Sequence, residues 1–212
     1  MVFDLSRLRI AKVTVVLAAA LGPLVALPAP ASAGGCFYAP TSSIAKALGL
    51  ANATAYLDTP PDTTSTTPSV FSLCRVVAWS GGKPTTAQQK REKEANGSAA
   101  GVVIKTEDDN PSATPEQMTE WPHTWEEQTS KFLRAGALIY KLYHGKAFTP
   151  PGFGGRASAF TATRGPYRGA IGIWYNGTAT AYVTIGITTS RVKHAPAALE
   201  AIAATAVPNF GF

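Results

Sequence analysis

The stretch from Tyr167 to Ile187 constrains the fold of this chain more than any other part of the sequence. Two runs of β-favouring residues flank the pair Asn176-Gly177, and both of these turn residues tolerate a positive φ. The pair therefore predicts a two-residue β-hairpin in which Tyr175 faces Thr178. Because the register of a strand pair fixes the face that each side chain occupies, this one turn assigns every residue of the hairpin to a face.

One predicted face of the hairpin is suited to packing against a helix. It carries Trp174 and otherwise only small or aliphatic side chains, namely Ala170, Gly172, Ala179, Ala181, Val183, Ile185 and Ile187. In the predicted register, Trp174 pairs with Ala179 and Gly172 pairs with Ala181. Small residues opposite a large ring leave room for a helix to lie on the sheet, so we expect this face to be the inner one.

The opposite face of the hairpin combines aromatic and aliphatic side chains. Ile173, Tyr175 and Tyr182 share it with Ile171. A face this apolar is not expected to remain bare, so it should be partly covered or be a binding surface itself. We take Ile173, Tyr175 and Tyr182 as the candidate contact surface. The role of the hairpin as a whole is predicted to be structural before it is functional.

The first 33 residues have the pattern of an export signal. Three basic residues precede the apolar run Val13–Leu27, and Ala31-Ser32-Ala33 ends the segment as a small-residue cleavage site. The run is shorter than the roughly 20 residues that a spanning helix needs, although a retained membrane anchor is the alternative. We therefore predict a signal peptide over 1–33 and a single secreted α+β domain over 34–212, with no transmembrane span after cleavage and a location outside the cell or in its envelope.

The charge of the chain argues against a nucleic-acid partner. The predicted signal carries one acid and three bases, so its removal lowers the net charge of +6 by two, to +4. The remaining lysines and arginines are scattered, whereas a nucleic-acid-binding protein usually concentrates them on one face with interleaved aromatics. Weak attraction to an anionic envelope is expected, but it is not specific.

Two cysteines, Cys36 and Cys74, lie 38 positions apart in the exported part. In an oxidising compartment they are expected to form one disulfide bond. Two free thiols or a metal pair is the first alternative, but no histidine or further cysteine lies at ligand spacing, so no metal or cofactor is predicted. A lipid anchor on Cys36 is the second alternative, which we place behind the disulfide because a Pro/Ala spacer separates the apolar run from Ala33-Gly34-Gly35.

The remaining segments alternate between helical and extended patterns. The first half is predicted to begin with a helix over Pro40–Gly49, capped by Thr41 or Ser42, and an exposed loop over Ala51–Ser69. A strand over Val70–Trp79 follows, and then a solvated loop or a short charged helix over Gly81–Ser98. A second strand is predicted over Ala99–Thr106, and it ends at the solvated segment Glu107–Pro111. The second half is predicted to contain a helix that begins at Thr124, an irregular link over Pro150–Arg156, an extended segment over Ala157–Ala162 and a helix over Pro196–Val207. Whether Ala137–Tyr143 extends the central helix or begins a strand stays open. The fold class is α+β: an antiparallel sheet flanked by helices, with an order that suggests two similar α-then-β halves.

The order of several motifs resembles a family of exported actinobacterial proteins, of mycobacterial type, many of which are lipoproteins of unknown function. The residues that carry the resemblance are Cys36, Ala47-Leu48-Gly49, Cys74 with Trp79, Gly152–Ala157, Trp174–Val183 and Leu199–Val207. The resemblance covers nearly all of the mature chain and implies a PsbP-like sandwich and an envelope location. It supplies no catalytic residues.

The sequence favours binding over catalysis. It has three histidines, His123, His144 and His194, and none belongs to a recognised catalytic motif. We therefore predict a secreted non-catalytic module of the cell envelope that binds an unknown envelope protein or polymer. The alternative is a small extracellular hydrolase acting on envelope polymers with His123 or His144 beside a glutamate, and a third hypothesis is carbohydrate recognition by exposed rings of Trp121 and Trp125.

Overall fold

The computed structural model describes residues 36, 38–59, 69–109, 114, 144–165, 168–176 and 181–211. The helices in this part are α1 (Thr41–Ala47), α2 (Ala87–Ala95) and α3 (Ala195–Phe210), and a 3-10 turn over Val192–His194 leads into α3. The strands are β1 (Asn52–Thr59), β2 (Ser69–Trp79), β3 (Ala99–Asp109), β4 (Lys146–Phe148), β5 (Arg156–Ala162), β6 (Gly169–Tyr175) and β7 (Tyr182–Thr188). The predicted signal peptide, the helix expected from Thr124, the segment Ala137–Tyr143 and the turn residue Gly177 lie outside the described residues.

The strands form one antiparallel sheet in the order β1-β2-β3-β7-β6-β5-β4. The first three strands make one meander and the last four make a second, and the two meanders join where β3 pairs with β7. Helices α1 and α3 contact each other, while α1 packs on β1 and α3 packs on β6 and β7. The predicted α+β class, with helices against an antiparallel sheet, is confirmed.

The hairpin is present, but its predicted register is wrong by four residues. Tyr175 pairs with Tyr182 rather than Thr178, and Trp174 pairs with Val183. Asn176 closes a longer connection than a two-residue turn, because its backbone N–H donates to the Ala181 carbonyl at 3.1 Å and its side-chain Oδ1 accepts from the Ala181 N–H at 3.3 Å. A shift of four is even, so every described hairpin residue keeps its predicted face.

The inner face of the sheet holds the main core beneath α1 and α3. Trp174 is fully buried, and its indole N–H donates to the Pro151 carbonyl at 2.8 Å. Its ring extends over Gly172 and leaves so little room that a Cβ atom there would lie 2.6 Å from the ring and 3.1 Å from Leu199 of α3. The small residue on the strand thus lets the indole and the helix approach the same patch of sheet, as the inner-face pattern predicts.

Two segments expected to be loops are strands. Residues 52–59 form the edge strand β1, which pairs with β2 and has an irregularity between Ala55 and Leu57. The Ala/Thr-rich sequence of β1 conceals this, since an edge strand needs few large apolar residues. Strand β3 continues through Glu107 to Asp109 instead of ending at Thr106, because Glu107 is paired across the sheet with both Phe71 and Tyr182.

The helices predicted within the described residues are confirmed in position but not in every cap. Helix α1 forms, and Gly49 adopts the expected left-handed φ of 62°, but Pro40 occupies the N-cap position without a side-chain cap bond. Of the two alternatives for residues 81–98, the short charged helix occurs as α2, with the Thr86 side chain accepting from the Gln89 N–H. Helix α3 buries Leu199, Ile202, Ala203 and Ala206, the face that its periodicity predicts.

The disulfide between Cys36 and Cys74 is formed, with Cα atoms 5.6 Å apart. It connects the segment before α1 to the inner face of β2, and both cysteines are buried. The Cys36 sulfur is therefore engaged in this bond and is not available for a lipid thioether. Loop closure of this length is expected to stabilise the fold by about 3–4 kcal/mol through the entropy of the unfolded chain.

Replacing both cysteines, as Cys36→Ser with Cys74→Ser, should lower the free energy of unfolding by about 3–4 kcal/mol. Guanidinium denaturation followed by circular dichroism measures this difference. A thiol reductant should destabilise the natural protein by a similar amount and leave the double variant unchanged. If the disulfide is completely reduced and the natural protein is as stable as without reductant, a stabilising role of the disulfide is contradicted.

Candidate functional site

The structure brings the three residues of the predicted contact surface together on the outer face. Tyr175 and Tyr182 are cross-strand partners whose ring centroids are 5.7 Å apart, and Ile173 lies on the same face of β6. Ile173 is only 4% exposed and Tyr175 only 1%, whereas Tyr182 is half-buried. Of the two expectations for this face, partial covering holds for Ile173 and Tyr175.

A charged network anchors Tyr182 to the centre of the sheet. The Tyr182 hydroxyl donates to Oε2 of Glu107, and Lys105 Nζ donates to the same oxygen at 2.9 Å. Burial, followed by the hydrogen bond to Glu107, raises the pKa of the Tyr182 hydroxyl above its usual value. Because a buried carboxylate is stable only when donors surround it, this network has a structural explanation: it holds β3 and β7 in register.

The Tyr182→Phe variant should be less stable than the natural protein at pH 8, by about 1–3 kcal/mol, because Glu107 loses a donor while remaining buried. It should also lose less stability above pH 10. The folded protein keeps the Tyr182 proton to a higher pH than the unfolded chain, whose tyrosines deprotonate near pH 10. The unfolded state then binds fewer protons, so the contribution of Tyr182 to stability is present below about pH 10 and is lost as the pH rises further.

Urea denaturation between about pH 8 and pH 11 measures both effects on Tyr182. Tyr56→Phe is the matched control, because the Tyr56 ring is 57% exposed and its replacement should reproduce the natural alkaline profile. An identical alkaline loss of stability in the natural protein and in Tyr182→Phe would show that the buried hydroxyl does not couple to folding.

The exposed apolar side chains of the outer face lie on its other half. Leu57, Phe71 and Val103 are all exposed, and Arg75 lies between Leu57 and Val103 in the strand register. The sequence pattern does not predict this patch, because Leu57 lies in the segment that was expected to be a loop.

A groove of about 1090 Å³ opens on the inner side of the sheet, beyond the edge of the core. Its floor is formed by β4 and β5, and its wall is the segment that leaves β7 and enters α3. The residues that line it are Lys146, Ala147, Phe148, Thr161, Thr163, Ser190, Arg191, Val192, Lys193, His194 and Pro196. We call this feature the basic groove.

Strand pairing positions the floor of the basic groove. Lys146 is the cross-strand partner of Thr161, which pairs in turn with Ala170 of the inner face. The register therefore directs Lys146 and Thr161 toward the side of the sheet on which α3 lies. Phe148, two residues beyond Lys146, packs against the core and fixes the short strand β4 in place.

The wall of the basic groove is held by a sharp change of direction after β7. The Thr189 hydroxyl accepts from the Arg191 N–H at 3.1 Å, and the 3-10 turn then delivers Lys193 and His194 to the start of α3. The side chains of Ser190 and Arg191 lie over Gly97: a Cβ atom on Gly97 would be 3.3 Å from Ser190 Oγ and 3.0 Å from Arg191 Nε. Arg191 thus joins the wall to the turn that precedes β3.

The charged side chains in the described lining of the basic groove are all basic. Lys146, Lys193 and His194 are exposed, none of them is ion-paired with a described carboxylate, and the described lining contains no acidic residue. Lys193 also lies just before the N-terminus of α3, where the helix dipole makes a positive charge unfavourable by about 0.3–1 kcal/mol. A bound anion would relieve this repulsion, so the arrangement is suited to anions.

No protein-family model, curated protein or solved structure that was compared with the chain matches it. The site must therefore be interpreted from its own chemistry. Among the helices of the described part, none is long and apolar enough to cross a membrane.

The residues named for the alternative hypotheses are not assembled into a catalytic site in the described part. His144 is exposed with a φ of 51°, and within the described residues its imidazole makes no hydrogen bond to a carboxylate or a serine. Its backbone carbonyl accepts from the Thr163 hydroxyl at 3.4 Å. His123, Trp121 and Trp125 lie outside the described residues, so the structure places neither the remaining histidine of the hydrolase hypothesis nor the two rings of the carbohydrate hypothesis.

Sequence reasoning missed the basic groove, although one signal was present. Arg191, Lys193 and His194 crowd the residues just before a predicted helix, at the end where basic residues are least favourable. A local arrangement that opposes an elementary preference is expected mainly at functional positions. The partner strand with Lys146 could not be found in this way, since β4 is only three residues long.

Proposed function

We propose that this protein is a secreted, non-catalytic binding module of the cell envelope that holds an anionic ligand in the basic groove. The observation that carries the proposal is the convergence of Lys146, Lys193 and His194 on one open groove whose described lining contains no carboxylate. Cations placed this way attract anions of either small or polymeric form. The ligand is then an anionic envelope polymer, or a fragment of one.

The envelope location is supported by features far from the groove. The basic and apolar pattern of residues 1–33 is typical of export, and the Cys36–Cys74 disulfide fits an oxidising compartment. The resemblance to exported actinobacterial proteins points the same way. A non-catalytic role is supported by the composition of the groove, whose described lining places no carboxylate beside His194 to orient it as a base.

The proposal is tested by measuring the affinity of the purified protein for three polymers: poly(glycerol phosphate), poly-L-glutamate and neutral dextran. Both polyanions should bind and dextran should not. Raising the salt from about 20 mM to about 300 mM should weaken polyanion binding by about tenfold or more, because the contacts are exposed and are screened. Binding of dextran with the same affinity as the polyanions, or no binding of either polyanion, would contradict the proposal.

The same samples separate binding from hydrolysis. The polymers should be recovered at their original length after long incubation with the protein, as size-exclusion chromatography can show. Shortening of a polymer by the natural protein, and not by heat-denatured protein, would favour the hydrolase alternative.

A further inference from the structure

We infer that anion binding in the basic groove is controlled by pH through His194, an inference that rests on the proposed anion-binding function. Histidine is the side chain that ordinarily changes its charge between about pH 5 and pH 8. A neutral imidazole offers one N–H donor, whereas the protonated ring offers two donors and a positive charge. A groove that holds an exposed histidine among lysines is therefore expected to bind an anion more tightly in acid.

The imidazole of His194 is not engaged in holding the fold together. His194 occupies the N-cap position of α3 but makes no side-chain cap bond, and no hydrogen bond or ion pair joins its ring to another described residue. The residue is exposed and belongs to the groove lining. Its backbone is fixed, because the His194 N–H donates to the Arg191 carbonyl at 2.9 Å. The ring is thus held at the groove with both of its nitrogens available to a ligand.

The groups that surround His194 in the described lining carry no negative charge. Strand β4 contributes Lys146, and the wall contributes Arg191 and Lys193. The residues from β5 and its end are threonines, and α3 adds no charged residue, since Glu200 lies outside the lining. No carboxylate of the described lining can therefore neutralise a protonated imidazole, and the added charge acts on a bound anion.

The direction of the pH effect follows from proton linkage. A bound anion favours the charged form of the imidazole, so the complex binds more protons than the free protein at the same pH. The affinity for the anion therefore rises as the pH falls through the range in which histidine titrates. One exposed contact between opposite charges is expected to change the affinity by about three- to fivefold at low salt.

Isothermal titration calorimetry with poly(glycerol phosphate) tests the inference, because the diester phosphates of this polymer keep their charge over the whole range. In about 20 mM salt, the natural protein should bind the polymer about three- to fivefold more tightly at about pH 5.5 than at about pH 8. Titrations near about pH 6.5 in buffers of different ionisation enthalpy measure the protons exchanged on binding. The natural protein should take up protons as it binds.

Three variants assign the effect to one side chain. His194→Gln should lose most of the pH dependence and most of the proton uptake, because glutamine does not titrate. His194→Lys should bind the polymer tightly at both pH values and take up few protons. His144→Gln is the control, since His144 is exposed and lies outside the described lining, and it should keep the pH dependence of the natural protein. If His194→Gln fails to fold, His194→Lys and the proton uptake of the natural protein decide the question.

The outcomes separate this inference from the proposed function. Equal affinity of the natural protein at both pH values, without proton uptake, would overturn the pH control and leave the anion-binding function standing. A pH dependence that survives in His194→Gln and disappears in His144→Gln would also overturn it. No binding of the polymer at either pH would overturn both proposals. Tighter binding in acid that disappears with His194 is the result that the groove predicts.

Discussion

Replacing Gly172 with alanine is expected to lower the free energy of unfolding by about 3 kcal/mol. The added methyl group would lie 2.6 Å and 2.8 Å from two ring atoms of Trp174, and 3.1 Å from Leu199 Cδ2. Neither neighbour can retreat cheaply, because Trp174 is fully buried with its indole N–H bonded to Pro151. The substitution would therefore push α3 away from the sheet or displace the indole from its site.

Gly186→Ala is the matched control for this prediction. A Cβ atom on Gly186 would have its nearest neighbours, two atoms of the Ile171 side chain, at 3.9 Å, an ordinary contact. Its free energy of unfolding should stay within about 0.5 kcal/mol of the natural value. Urea denaturation of the two variants measures the difference, and equal stabilities would contradict the packing of Trp174 over Gly172.

Reversing the charge of both groove lysines, as Lys146→Glu with Lys193→Glu, is expected to weaken polyanion binding by about a hundredfold or more. Each lysine contributes a charge-assisted contact of about 1.5–3 kcal/mol, and each glutamate adds repulsion. Both lysines are exposed, so the fold should be retained. Titration with poly(glycerol phosphate) at low salt measures the loss.

The control for the charge reversal is Lys83→Glu with Arg91→Glu, which changes the net charge of the protein by the same amount. Lys83 and Arg91 are exposed in and before α2, away from the groove lining. If affinity depended only on total charge, both double variants would lose binding equally, and the groove would not be the site. We expect the control to weaken binding by less than about threefold, because charges outside the groove attract the anion only over a long range, where salt screens them.

The hairpin shows how far sequence reasoning reaches in this fold. The alternation of the strand assigns Trp174, Val183 and Ile185 to the inner face. The structure agrees, because a register shift of four residues leaves each side chain on the same face of the sheet. The Asn176-Gly177 signal failed to set the loop length, since it describes only the local backbone. Residues distant in sequence also position β7, since the bond between Tyr182 and Glu107 joins it to β3.

The candidate site was less accessible to prediction than the fold. The basic groove joins residues 146–163 to residues 190–196, and only the folded sheet shows that these segments meet. The cations before α3 could have been noticed as unfavourable to the helix dipole, but Lys146 gives no such signal. The face around Tyr175 attracted interest because its residues are aromatic, yet aromatic side chains fill interiors as readily as they form contact surfaces.

Two-dimensional NMR during titration with glycerol 3-phosphate would locate the bound anion most directly. If the basic groove holds the anion, the largest amide shifts fall on residues 146–148, 161–163 and 190–195. Small shifts are expected around Leu57, Phe71 and Val103 on the outer face. Shifts concentrated on that outer face, or spread evenly over all exposed lysines, would contradict the basic groove as the binding site.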